Sequence, residues 1–125
     1  MNFYRMKKLL IIDDEVDFCT LVKLQCAKTG IECKYANTLS EGLELLGDFT
    51  PDMLILDNNL PDGNGWSHAS YLLDHYPDLS LSLITAKNSY DKINENLFLS
   101  DKRIACYLKP LTLGELDNIM HSNLG

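Results

Sequence analysis

The sequence predicts an α/β fold, an open parallel sheet with helices on both faces, and three observations lead there. Short apolar runs at residues 9–12, 53–56 and 104–108 have the pattern of strands covered on both sides. Between the runs lie segments with apolar residues at helical spacing and capping residues at their ends. The regular alternation of the two calls for right-handed crossovers within one sheet. At 125 residues, with 46% hydrophobic and 23% charged side chains, the chain has the composition of an ordinary globular protein. One domain spanning residues 1–125, with its core at about 7–122, is expected.

Leu9 to Ile12 form the first strand, which stops at Asp13 and Asp14. Val16, Leu21, Val22, Leu24 and Ala27 recur at helical spacing, and Gly30 stands where a C-cap would, so residues 15–29 read as a helix. Ile31 to Ala36 give the second strand. Thr38 and Glu41 form a capping box for a short second helix through Leu39, Leu43, Leu45 and Leu46, with Gly42 inside it. Met53 to Leu56 are the third strand, ending at Asp57. Pro61, Asp62, Gly63, Asn64 and Gly65 then mark a turn. A third helix from Trp66 to His75 is stopped by Pro77, and Leu79, Leu81, Leu83 and Ile84 make a fourth strand ending at Thr85. Ile93, Leu97 and Leu99 indicate a fourth helix. Ile104 to Leu108 are the fifth strand, ending in Lys109 and Pro110, and a second capping box, Thr112 with Glu115, opens the last helix.

Composition excludes several functions. The 18 acids against 11 bases give a net charge of -7, a field that repels nucleic-acid backbones and anionic lipid surfaces, so no direct nucleic-acid or membrane partner is expected. Cys19, Cys26, Cys33 and Cys106 form no CxxC pair and read as reduced thiols of a cytoplasmic protein. Arg5, Lys7 and Lys8 before an apolar run imitate a leader peptide, but two acids cut the run after Ile12. No stretch approaches the roughly 20 apolar residues of a membrane span.

In open parallel sheets, ligands sit beyond the carboxyl ends of the strands. Here those ends carry Asp13 and Asp14, Asp57, Thr85 and Lys109. Carboxylates gathered there repel by about 4 kcal/mol per pair at 4 Å, so the cluster calls for a cation, and oxygen-only ligands suit Mg²⁺. Lys109 and Thr85 are placed to hold the oxygens of a phosphoryl group, which leaves Asp57 as the central nucleophile candidate. Any one of these residues reads equally well as a solvated strand end; the set, in this order, is specific.

The residues Leu9–Glu15, Leu54–Pro61 with Gly65, Thr85–Ala86 and Tyr107–Pro110 closely resemble the response-regulator receiver domain of two-component signalling. The resemblance implies a flavodoxin-like sheet of order 2-1-3-4-5 flanked by five helices. It implies that Asp57 takes a phosphoryl group from a phosphohistidine on a sensor histidine kinase or phosphotransfer protein. Asp14, Asp57 and the backbone carbonyl of Asn59 would hold Mg²⁺, with Asp13 acting through water, while Lys109 and Thr85 bind phosphoryl oxygens. Thr85 and Tyr107 would form the switch, read by a downstream protein on the face of the fourth helix, fifth strand and fifth helix, and Asn59 and Lys87 would tune the phosphoryl lifetime. Such a domain is no enzyme in the usual sense, since its autophosphorylation and autodephosphorylation are self-limited. No room is left after residue 122 for an output domain, so a stand-alone receiver or one excised from a longer chain is expected.

The chain departs from the family in one stretch. Twenty-three residues separate Thr85 from Lys109, and Ser100–Ala105 replace the customary Gly-Ala. Lys102 and Arg103 there read either as the rim of a partner site or as a solvated basic turn. A Mg²⁺-dependent phosphohydrolase resembling the haloacid-dehalogenase family would need Asp-x-Asp where this chain has Asp13-Asp14-Glu15. A flavin phosphate would be repelled by the same acids. A degenerate, phosphorylation-independent receiver is at odds with the intact Asp57, Thr85 and Lys109.

Overall fold

The computed structural model describes residues 5–86 and 101–125. Five parallel strands, β1 (Lys8–Ile12), β2 (Glu32–Ala36), β3 (Met53–Asp57), β4 (Ser80–Thr85) and β5 (Ile104–Leu108), pair in the order β2-β1-β3-β4-β5. The expected class and strand order are thus observed. Among the described residues there are four α-helices: α1 (Val16–Thr29), α2 (Leu39–Phe49), α3 (Ala69–His75) and α4 (Leu113–Leu124), the last helix of the chain. The helix expected around Ile93, Leu97 and Leu99, and the rate-tuning residue Lys87, lie outside the described residues.

Strand alternation divides the interior into two cores. Leu10, Ile12, Leu54, Leu56, Leu81 and Leu83 face α2 and α3, whereas Leu9, Ile11, Met53, Ile55 and Ile84 face α1 and α4. This two-sided burial explains why β1 and β3 read as unbroken apolar runs. The edge strand β2 instead exposes Glu32, Lys34 and Tyr35, and its charges discourage further pairing.

Local chemistry sets the element ends. α1 stops at Gly30, whose φ is 73°. Gly42 is admitted inside α2 because a Cβ there would run into the Ile12 side chain. The third helix is not one α-helix from Trp66, as expected, but a 3₁₀ turn over Gly65–His68 followed by α3. The Asn64 side chain accepts from the Trp66 amide at 3.0 Å, and the Trp66 indole N–H donates to the Leu56 carbonyl at 3.3 Å, which tightens that first turn against β3. The Thr112–Glu115 capping box forms with both arms.

The two basic residues before β5 have different surroundings. Arg103 Nη1 donates to the carbonyls of Leu73 at 3.0 Å and Pro77 at 2.9 Å, and its Nε and Nη2 pair with Asp101. Its guanidinium is therefore spent closing the end of α3, and only Lys102 of the pair is exposed.

Candidate functional site

The parallel register carries one residue from each central strand to the same crevice. Ile12 pairs with Leu56, so Asp13 leaves β1 beside Asp57, the last residue of β3. Thr85 ends β4, and the Lys109 amide continues the sheet by donating to the Thr85 carbonyl at 2.8 Å. Asp13, Asp14 and Asp57 each offer an oxygen within 4.8 Å of the others. Asp13 and Asp57 are buried at 0% and 4% exposure, while Asp14 faces solvent.

Lys109 is the cation inside this group. Its Nζ lies 2.7 Å from Glu15 Oε1, 3.3 Å from Asp13 Oδ1 and 3.6 Å from Asp57 Oδ2. Asp13 Oδ2 is 2.9 Å from the same ammonium but outside hydrogen-bonding angles, so this buried oxygen has no hydrogen-bond partner among the described residues. Burial pushes the Asp57 carboxyl up to about 6, the neighbouring Asp13 charge adds to this, and Lys109 and the Asn59 amide oppose it. Burial also raises Asp13, against the Glu15 amide and Lys109. Burial works against the charged form of Lys109, but Glu15 and Asp13 outweigh it and hold the ammonium above its ordinary range.

The Thr85 hydroxyl is fully buried and also without a partner among the described residues. A buried hydroxyl in that state costs about 1–3 kcal/mol, which a ligand oxygen would recover. Asn59, two residues past Asp57, is exposed on a short hairpin, where it pairs with Asn64. Gly65 closes this turn by donating to the Asn58 carbonyl at 3.0 Å, and a Cβ at Gly65 would collide with the Asp57 carbonyl oxygen.

Tyr107 is not brought to the Thr85 side. It pairs with Ile84 and packs, half-buried, in the core under α1 and α4. Thr85 pairs with Leu108, Leu83 with Cys106 and Leu81 with Ile104, so the β5 side chains on the Thr85 face are Ile104, Cys106 and Leu108. The expected entry of the Tyr107 ring into space left by Thr85 is thereby corrected: the two side chains project from opposite faces of the sheet.

Three neighbours were not singled out from the sequence. Glu15 holds Lys109, the Phe18 ring lies 5.6 Å from the Lys109 ammonium, and Asn37 Nδ2 donates to the Asp13 carbonyl at 2.8 Å. Only Glu15 carried a signal, as the third acid of its cluster. Elsewhere, His75 stacks on Tyr71 along α3 with ring centroids 3.8 Å apart. Among the described residues no helix is long and apolar enough to cross a membrane.

Residues 9–121 match the family profile of the response regulator receiver domain. Response regulator protein PilR of Pseudomonas aeruginosa is 29% identical over 118 residues, which are 94% of this chain and 26% of that protein. The Regulator of RpoS of Escherichia coli K12 is 30% identical over 105 residues, 84% of this chain and 31% of that protein. The chain thus spans about a third or less of these two relatives. In three dimensions it is similar to response regulator protein TrrA of Thermotoga maritima in complex with Mg²⁺-BeF, with a TM-score of 0.79, 25% identity, and coverage of 95% of this chain and 100% of that one. The acids and lysine at the carboxyl edge of the sheet therefore sit in a chain that belongs, by sequence and by fold, to the response regulator receiver domains of two-component systems, a family of signalling domains rather than classical enzymes.

Proposed function

We propose that this chain is a single receiver domain of the cytoplasm, in which Asp57 accepts a phosphoryl group from a phosphohistidine on a sensor histidine kinase or phosphotransfer protein. The observation that carries this reading is the convergence, in one crevice, of a buried carboxylate, a lysine 3.6 Å from it and a buried hydroxyl with no partner among the described residues. A carboxylate oxygen of Asp57 forms the new O–P bond as the P–N bond of the donor breaks, and the imidazole nitrogen leaves with the electron pair. Lys109 moves from its acidic neighbours to one phosphoryl oxygen, and the Thr85 hydroxyl donates to another. Water later attacks phosphorus, the O–P bond to Asp57 breaks and inorganic phosphate leaves, which restores the carboxylate and limits the lifetime of the phosphorylated state.

Mg²⁺ fits the donor set. The ligands are all oxygen, Asp14 is open to solvent, and Asp13 Oδ2, ion-paired with Lys109 but without a hydrogen bond among the described residues, can accept from a metal-bound water. Asp14, Asp57 and the Asn59 backbone carbonyl would hold the ion, with Asp13 acting through water. When bound, it would neutralise the acids and the charge on the transferring phosphoryl oxygens. The similarity to TrrA, seen with Mg²⁺-BeF, supports this.

Asn59 and Lys87, two residues past Asp57 and Thr85 in the sequence, tune the lifetime of the acyl phosphate. As Thr85 is drawn to the phosphoryl group, the change passes along its own face to Cys106 and Leu108, and a protein target reads it on a surface that includes β5 and α4. Incubation with acetyl phosphate and Mg²⁺ tests the central claim by intact mass. The parent should gain one acyl phosphate and Asp57→Ala none; equal modification of both would overturn the assignment.

A further inference from the structure

The N-terminal turn of α2 links the two halves of the proposed metal site, and Asp62 makes the link. Asp62 Oδ1 accepts from the Leu39 amide at 2.7 Å and Oδ2 from the Ser40 amide at 2.9 Å. The carboxylate comes from the turn that follows Asp57, not from α2, so it caps a helix 23 residues earlier in the chain. Thr38 Oγ1 accepts from the next amide, Glu41, at 3.2 Å. Gly42 donates to the Thr38 carbonyl. The free amides at the start of the helix are thus shared between a local cap and a distant one.

The same turn is fixed on its other side. Asn37, next to Thr38, donates to the carbonyl of Asp13 at 2.8 Å. A continuous path runs from Asp13 through Asn37 to the first turn of α2, then through Asp62 into the hairpin that carries Asn59 and back to Asp57. Leu60 of that hairpin and Leu39 of the helix are both buried in one core cluster, which anchors the two sides of the carboxylate bridge.

We infer that Asp62 is a positioning residue for Mg²⁺: it pins the Asn59 hairpin to α2 and so sets the proposed carbonyl ligand against the acids of β1 before the ion arrives. The inference rests on the metal site proposed above. Asp62 itself touches neither the ion nor the phosphoryl group. Its effect lies in preorganisation, because a loop that must be ordered by the metal spends part of the binding energy on that ordering.

Magnesium titration of the full chain by calorimetry or NMR tests this, alongside thermal melts and amide hydrogen exchange. Asp62→Ala should weaken Mg²⁺ binding by about 10-fold, the lower end of what groups supporting a metal ligand contribute. It should also speed exchange at Leu39, Ser40 and the hairpin. Asp62→Asn, which keeps one acceptor of the same shape, should recover part of the affinity. Arg103→Ala, which loosens the end of α3 at the opposite edge of the sheet, should lower the melting temperature yet bind Mg²⁺ like the parent. Asp62→Ala binding Mg²⁺ like the parent, or losing affinity only as far as Arg103→Ala does, would overturn the inference. Asp14→Ala separates the two levels. If it loses Mg²⁺ while Asp62→Ala does not, the bridge alone is wrong; if the parent binds no Mg²⁺, the proposed site and the bridge fall together.

Discussion

Asp57 and Asp13 hold two buried carboxyl groups around one ammonium, an arrangement set by function at the expense of stability. In the presence of a metal chelator, Asp57→Asn should therefore be more stable than the parent, by on the order of 1–2 kcal/mol, as read from urea melts. A less stable variant would mean that the lysine already compensates both acids. Asp52 shows the opposite balance. It pairs with Arg5 and accepts from the Lys8 amide at 2.9 Å, and these contacts hold its carboxyl below the usual range against partial burial. A depressed pKa contributes stability above the unfolded value, near 3.8, which disappears as the pH falls through the folded one. Asp52→Asn should cost about 1 kcal/mol at neutral pH and progressively less below pH 4, in melts compared across that range. The main acids, the threonine and the lysine of the site were legible because each terminates a strand, and the sheet rule places strand ends together. Asn37 and Asp62 were not, since their partners are backbone groups, the Asp13 carbonyl and the first amides of α2, that only the folded chain brings to them. The face of Tyr107 was hidden for another reason: Ile104-Ala105-Cys106-Tyr107-Leu108 has no polar alternation to give it a phase, and only the register with β4 does.

The elements were legible where burial was complete, as in β1 and β3, and shifted where a single contact decided an end. The Leu79 amide donates to the Tyr76 carbonyl at 3.0 Å in the turn after α3, so β4 begins at Ser80 rather than at the first apolar residue. Side-chain bonds of Asn64 and Trp66 likewise turn the start of the third helix into 3₁₀ geometry, which periodicity does not report. Gly65 lies at that junction. Gly65→Ala forces its methyl against the Asp57 carbonyl, and it should destabilise the fold by at least about 2 kcal/mol and slow phosphorylation by acetyl phosphate, measured by melts and intact mass. Arg103 governs the other end of the same helix. Arg103→Ala should lower the thermal midpoint, and Arg103→Lys should recover little of it, because an ammonium does not reproduce the fork between Asp101 and two carbonyls.

At the scale of the molecule, the sheet separates two cores and exposes the site at one edge, so an ion bound there stabilises the whole fold through linkage. Magnesium at ten times its dissociation constant should add about 1.4 kcal/mol to the parent and nothing to Asp14→Ala, as measured by the shift in thermal midpoint. The strand order also has a consequence in time. Asp13, Asp14 and Asp57 all belong to the first half of the chain, whereas Lys109 follows the final strand. On the ribosome, any pairing of β1 with β3 before β5 is made would assemble the negative cluster while its lysine is still unmade. A nascent chain at that stage depends on solvent cations or borrowed protons to tolerate its own acids. The arrival of β5 then works as a latch as well as a strand: it brings the counterion that lets the crevice close.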